Sequence, residues 1–117
     1  MSDNYVEEVL KNSSDVSFLS IDEVQAISKE SYDSWISEYV LRLKRIFQNN
    51  ISKCAQNGEF NYIFESDIMT TNKVEDLVKS IEKEIIPLLN GYSINFLILT
   101  QPDNFNYSRL KVCISWE

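Results

Sequence analysis

The stretch GYSINFLILTQPDNFNYSRLKVCISWE, residues 91–117, decides how the rest of the chain must fold. A strand over Tyr92 to Thr100 would place Tyr92, Ile94, Phe96 and Ile98 on one face and Leu97 and Leu99 on the other, after Ser93 and Asn95. A strand over Tyr107 to Trp116 would place Leu110, Val112, Ile114 and Trp116 on one side and mostly polar residues on the other. The turn-rich QPDNFN between them predicts a β-hairpin. One face of that hairpin needs a full apolar cover. The other leaves Leu97 and Leu99 to be shielded, at roughly 2 kcal/mol each if they stay in water. With Ile63 and Tyr107 beside them they would form an apolar patch of about a few hundred Å², near the limit a monomer exposes.

Upstream, LSIDEV offers a helix start. Ser20 is placed to cap, Glu23 sits three residues on as in a capping box, and Leu19 and Val24 occupy the staple positions. Val24, Ile27, Trp35, Tyr39, Leu43, Ile46 and Cys54 then recur mostly at helical spacing, widened by Ile36, Val40, Phe47 and Ile51. The pattern closes at AQNG, where Gly58 can take the left-handed conformation. This predicts a helix of about 36 residues, on the order of 54 Å, although Ser28, Ser31 and Ser34 could mark a kink. EFNYIFES alternates Phe60, Tyr62 and Phe64 against Asn61, Ile63 and Glu65, a half-buried strand. A second helix follows, with Asn72 as cap, Glu75 as its box partner, and Val74, Leu77, Val78, Ile81, Ile85 and Leu88 as its buried face. Pro87 should bend its last turn and Gly91 should end it. The order is helix, strand, helix, strand, strand: an α+β fold with two helices on a small three-stranded sheet. Residues 1–19 read as an N-terminal extension with a short helix over Tyr5 to Lys11, and 20–117 as a single domain.

Composition narrows the chemistry. The chain has no histidine, which removes the commonest general base and metal ligand together with any Ser-His-Asp or Cys-His arrangement. With Gly58 and Gly91 as its two glycines, it has no phosphate-cradling loop. Cys54 and Cys113 lack metal-type spacing and fit small apolar side chains better than a disulfide. The acidic pairs Glu7/Glu8, Asp22/Glu23, Glu65/Asp67, Glu75/Asp76 and Glu82/Glu84 fit solvated faces and first helical turns, with Glu65 and Asp67 the best placed for acid–base work. No cofactor, metal or catalytic role is expected. Tyr32, Trp35, Tyr39 and Trp116 could stack a nucleotide, but their spacing is that of core residues.

A net charge of −7 disfavours nucleic acid, whose affinity rests on Lys and Arg. An acidic surface of Glu7, Glu8, Asp22, Glu23, Glu30 and Asp33 precedes a basic stretch of Arg42, Lys44, Arg45 and Lys53, a polarity that suits the helix dipole. No apolar run is long enough to span a bilayer and the first residues are acidic, so a cytoplasmic protein is expected.

The order of elements, with Ala55 to Gly58 as A-x-x-G, Leu88 to Tyr92 as L-x-x-G-Y, and a closing Ile114 to Trp116, resembles a loosely defined set of small bacteriophage accessory proteins over about residues 19–117. The acidic extension and Pro87 depart from that pattern. The resemblance implies a virus-encoded protein of the host cytoplasm or the virion, and it carries over no catalytic residue. Three functions follow as expectations: a non-enzymatic accessory protein that binds and modulates a host protein, in defence or host takeover; a virion-associated or self-assembling subunit; and a small-nucleotide sponge. Three covers for the leucine patch stay open: the N-terminal 19 residues, a second copy of the chain, or a foreign protein.

Overall fold

The computed structural model describes residues 17–117. The expected short helix over 5–11 and the acids Glu7 and Glu8 lie outside the described residues. Helix α1 runs Ile21–Gln56, followed by strand β1 (Asn61–Glu65), strand β2 (Met69–Thr70), helix α2 (Thr71–Glu84), a 3-10 turn (Ile86–Leu88), and strands β3 (Ser93–Thr100) and β4 (Tyr107–Ser115). The α+β class and the closing hairpin are as the sequence predicts. Contacts divide the chain into two compact units, with the boundary between Asp33 and Ser34.

In the first unit, the Ser20 hydroxyl accepts the Glu23 N–H at 3.1 Å, which makes it the cap the sequence predicts. Asp22, Glu23, Glu30 and Asp33 are exposed, and Lys29 pairs with Asp33 one turn along at 3.3 Å. Leu19, Val24 and Ile27, expected on the buried stripe or its staple, are exposed as well. The helical stripe acquires a core only in the second unit.

In that second unit the sheet is antiparallel throughout, with β4 at its centre. β3 pairs along one side of β4, from Ser93 opposite Ser115 to Thr100 opposite Ser108. β1 and β2 pair in turn along the other side. Glu65 lies opposite Lys111 and Met69 opposite Ser108, so three residues of one strand span two of its neighbour, a β-bulge. Ser66 holds the bulge: its N–H donates to the Leu110 carbonyl at 2.8 Å, and its hydroxyl accepts the Leu110 N–H at 2.9 Å. The hydroxyl in turn donates to the Asp67 carbonyl. The sequence reading has no β2, because a two-residue strand has no periodicity to detect.

Leu110, Val112 and Ile114 of β4 are fully buried under Val40, Leu43 and Phe47 of α1 and Val74, Leu77 and Ile81 of α2, with Ile85 just beyond it. Phe47 meets Tyr62 and Phe64 edge-on at 6.0 and 5.4 Å, and these two rings place β1 under α1. Two expected core residues are displaced. Phe60 precedes β1 and is exposed, and Leu88 is 67 % exposed while Leu89 packs against the core instead. The physical reason for the second is Pro87, which turns the segment after Glu84 into 3-10 geometry and so rotates it off the 3.6-residue period.

Helix α2 also begins two residues earlier than expected, at Thr71, with Thr70 as a cap that makes no side-chain hydrogen bond. Asn72 is therefore inside the helix rather than capping it. The Thr71 side chain is engaged elsewhere, donating to the Phe105 carbonyl at 3.0 Å and lying 2.7 Å from the Ser108 hydroxyl. Its one proton is spent on Phe105, so Ser108 donates to Thr71, and that bond satisfies the most deeply buried hydroxyl of β4.

Candidate functional site

Alternation along the strands gives the sheet two unlike faces. The face opposite the helices carries Asn61, Ile63 and Glu65 from β1, Tyr107, Arg109, Lys111, Cys113 and Ser115 from β4, and Ser93, Asn95, Leu97 and Leu99 from β3. Ile63, Leu97, Leu99 and Tyr107 are 52, 48, 42 and 43 % exposed. All four residues expected to form an interface therefore share one open face.

They do not form one continuous patch. Across the sheet Ile63 faces Cys113, which faces Asn95; Glu65 faces Lys111, which faces Leu97; and Arg109 faces Leu99. The central strand thus inserts a polar row between an apolar flank at Ile63 and another at Leu97 and Leu99, roughly two strand spacings or 10 Å apart. Arg109 reaches diagonally to Glu65, Nη1 to Oε2 at 3.5 Å, on a surface where such a pair adds little stability. Its Nε is shielded from solvent and makes no hydrogen bond among the described residues. The face holds two cations and one anion on a chain of net charge −7, so it is locally basic.

Among the described residues, clefts open on the helical side. A smaller one, about 230 Å³, is lined by Tyr39, Arg42, Leu43, Ile46 and residues 64–67. Glu65 and Asp67 both border it, but the Glu65 carboxylate turns to Arg109 on the open face, so the two expected acids do not converge there. Burial raises the Tyr39 hydroxyl above its ordinary range, and the Asp67 carboxylate adds to the rise while Arg42 opposes it. The phenol is held neutral, which suits a structural side chain better than a base. A larger groove, about 660 Å³, runs between α1 and the 3-10 turn, lined mainly by Phe47, Ile51, Ile85, Leu88, Leu89 and Tyr92. Its one charged side chain, Lys44, lies 3.9 Å from Glu84. That is a poor arrangement for a phosphate.

Of the aromatic residues weighed for stacking, Trp35, Tyr39 and Trp116 each pack against another ring. Trp35 tilts against Tyr39 at 5.3 Å and lies under the Lys73 ammonium at 5.1 Å. Trp116 meets Tyr92 edge-on at 6.1 Å. Cys54 and Cys113 are free and half-buried. Desolvation first, then Glu59 beside it, pushes the Cys54 thiol up and away from the nucleophilic thiolate. No group of three His, Cys, Asp or Glu side chains gathers as a metal site among the described residues, and no described helix is long and apolar enough to cross a membrane.

Of the features that matter, the bulge at Ser66 and the polar row that divides the open face were not read from sequence. Both depend on the pairing of β1 with β4, residues far apart in the chain. No family model, curated protein or solved structure matches the chain.

Proposed function

We propose that the chain is a non-enzymatic binding domain whose open sheet face receives a partner protein. The observation that carries this reading is the asymmetry of the sheet: one face is sealed by two helices, while Ile63, Leu97, Leu99 and Tyr107 stand 42 to 52 % exposed on the other. Large apolar side chains grouped on a rigid face and interleaved with charge are the makings of a recognition surface. The basic row of Arg109 and Lys111 calls for a partner that presents carboxylates between apolar side chains. The resemblance to phage accessory proteins makes a bacterial host protein the class of partner, met in the host cytoplasm.

Capture from bacterial lysate tests this. The wild-type chain retains a partner that the Ile63→Glu/Leu99→Glu double variant, checked to be folded by circular dichroism, does not. Recovery of nothing above background, or equal recovery by both, removes the reading. The nucleotide-sponge alternative has less support, because among the described residues the larger groove offers no cation apart from Lys44, which lies beside Glu84, and Trp35, Tyr39 and Trp116 pack against other rings. A thermal-shift screen with nucleotides and cyclic dinucleotides addresses it directly, since a ligand of the native state must raise apparent stability.

A further inference from the structure

The two edges of the sheet are built differently. Gln101 N–H donates to the Tyr107 carbonyl at 2.9 Å, which fixes the phase of the β3–β4 ladder. By alternation, Ser93, Asn95, Leu97 and Leu99 point their backbone groups at β4, whereas Ile94, Phe96, Ile98 and Thr100 point theirs outward. The opposite phase on β1, set by Trp116 N–H to the Phe60 carbonyl at 3.0 Å, turns Asn61, Ile63 and Glu65 outward on the far edge. That far edge is guarded. It is five residues long, ends in Glu65, and breaks at the Ser66 bulge beside Asp67. The β3 edge has eight residues, SINFLILT, with no charge, no proline and no bulge. Proteins that stay single blunt such edges.

We propose that a second copy of this chain pairs antiparallel along β3, with Leu97 facing Leu97 across a twofold axis perpendicular to the sheet. Self-complementarity selects this occupant. In that register Ile94 pairs with Thr100 of the second copy and Phe96 with Ile98, so every outward N–H and C=O of β3 finds a partner on both chains. Registers shifted by two residues leave some of these groups unmatched within the strand. Two chains of net charge −7 repel, and β3 is a strand at which they meet without opposing like charges. Side chains agree as well. Ile98, 40 % exposed in the single chain, comes to lie against Phe96 of the second copy on the helical side, while the two Leu97 side chains close together on the open side. The twofold keeps both helical layers on one side, and it joins the two open faces into one surface with the leucines at its middle.

Three measurements on purified full-length chain, with no other protein present, test the pairing and leave the partner reading untouched. Light scattering gives twice the monomer mass, falling to the monomer mass on dilution. Leu97→Cys, placed in a Cys54→Ser/Cys113→Ser background, oxidises to a covalent dimer, because non-hydrogen-bonded antiparallel pairs hold their Cα atoms about 4.5 Å apart, within disulfide reach. Leu99→Cys in the same background does not cross-link, since its twin lies about 13 Å further along the strand. Ile98→Pro removes an outward N–H that has no partner among the described residues, so it yields a folded monomer. Should that variant fail to fold, amide exchange on the wild type decides: the Phe96 and Ile98 amides are slow in concentrated protein and fast on dilution. A monomer at every concentration overturns the proposal. So does a dimer that Leu97→Cys does not trap. Slow Phe96 and Ile98 amides in a monomer overturn it too, because residues 1–16 would then be the occupant of the edge.

Discussion

The two faces of β4 are made from the same nine residues and have opposite fates. Ser108, Leu110, Val112 and Ile114 are buried, whereas Tyr107, Arg109, Lys111, Cys113 and Ser115 stay at least partly in reach of solvent. The difference is not hydrophobicity alone, since β3 carries Leu97 and Leu99 on the open side and Ile94 and Phe96 on the closed one. What differs is the partner each face is given. Two amphipathic helices can cover one face of a sheet this size, and the chain commits both α1 and α2 to the same one. Stability is therefore concentrated on the closed side, and among the described residues the open side is left uncovered.

Substitutions on the closed face should show the larger effects. Leu110→Ala removes a fully buried side chain from the middle of the core and is expected to lower stability by about 2–5 kcal/mol in denaturant unfolding. A loss below about 1 kcal/mol would place the core elsewhere. Ser108→Ala comes next, at about 1 kcal/mol. It removes the donor to Thr71 Oγ1 and the link that ties the start of α2 to β4, but the Thr71 hydroxyl keeps its own bond to the Phe105 carbonyl. The double variant with Thr71→Val tests this pairing: its loss should fall short of the sum of the single losses, because both side chains belong to one network.

How much of this contrast is legible in sequence depends on the range of the interactions. The buried side of β4 is readable from its two-residue period, and α1 from its capping serine and its closing glycine, whose φ of 80° is one that few other residues adopt. These are local signals. Leu88 and Phe60 are misplaced because a proline and an irregular strand entry break the period on which the reading depends. Val24 and Ile27 follow the helical period and are still exposed, as is Leu19 at the staple position before the helix, since a periodic stripe shows which side would be buried and not whether anything lies against it. The open face itself was legible as a question about Leu97 and Leu99. Its division by Arg109 and Lys111 was not, because that follows from long-range register.

A smaller effect separates the faces by pH. Tyr62 lies on the closed side of β1, where burial raises its hydroxyl above the ordinary 10.0 and the hydrogen bond from Asn50 Nδ2, at 3.2 Å, pulls the other way. A phenol raised in the folded state contributes stability that is fully present below pH 10.0 and is lost as pH climbs through the folded value. Unfolding midpoints should therefore fall above about pH 10, and Tyr62→Phe should make that decline shallower. Tyr39, raised by burial and by Asp67, acts in the same direction, so the single variant removes only part of the slope.

The smallest expected change in stability is also the most informative about the open face. Leu97→Glu adds a charge at a half-exposed position opposite Lys111, where water already reaches the side chain and the nearest strand neighbour is a cation. Folding should shift by less than about 0.5 kcal/mol, whereas capture of a partner should be lost. The same substitution at Leu110 would bury an unpaired carboxylate and unfold the chain. If Leu97→Glu instead costs more than about 2 kcal/mol in dilute monomer, the leucine must already be shielded within its own molecule. The two faces would then differ in which segment covers them, with residues 1–16 on one and the helices on the other, and the apolar pattern of β3 would be a second core rather than a surface for recognition.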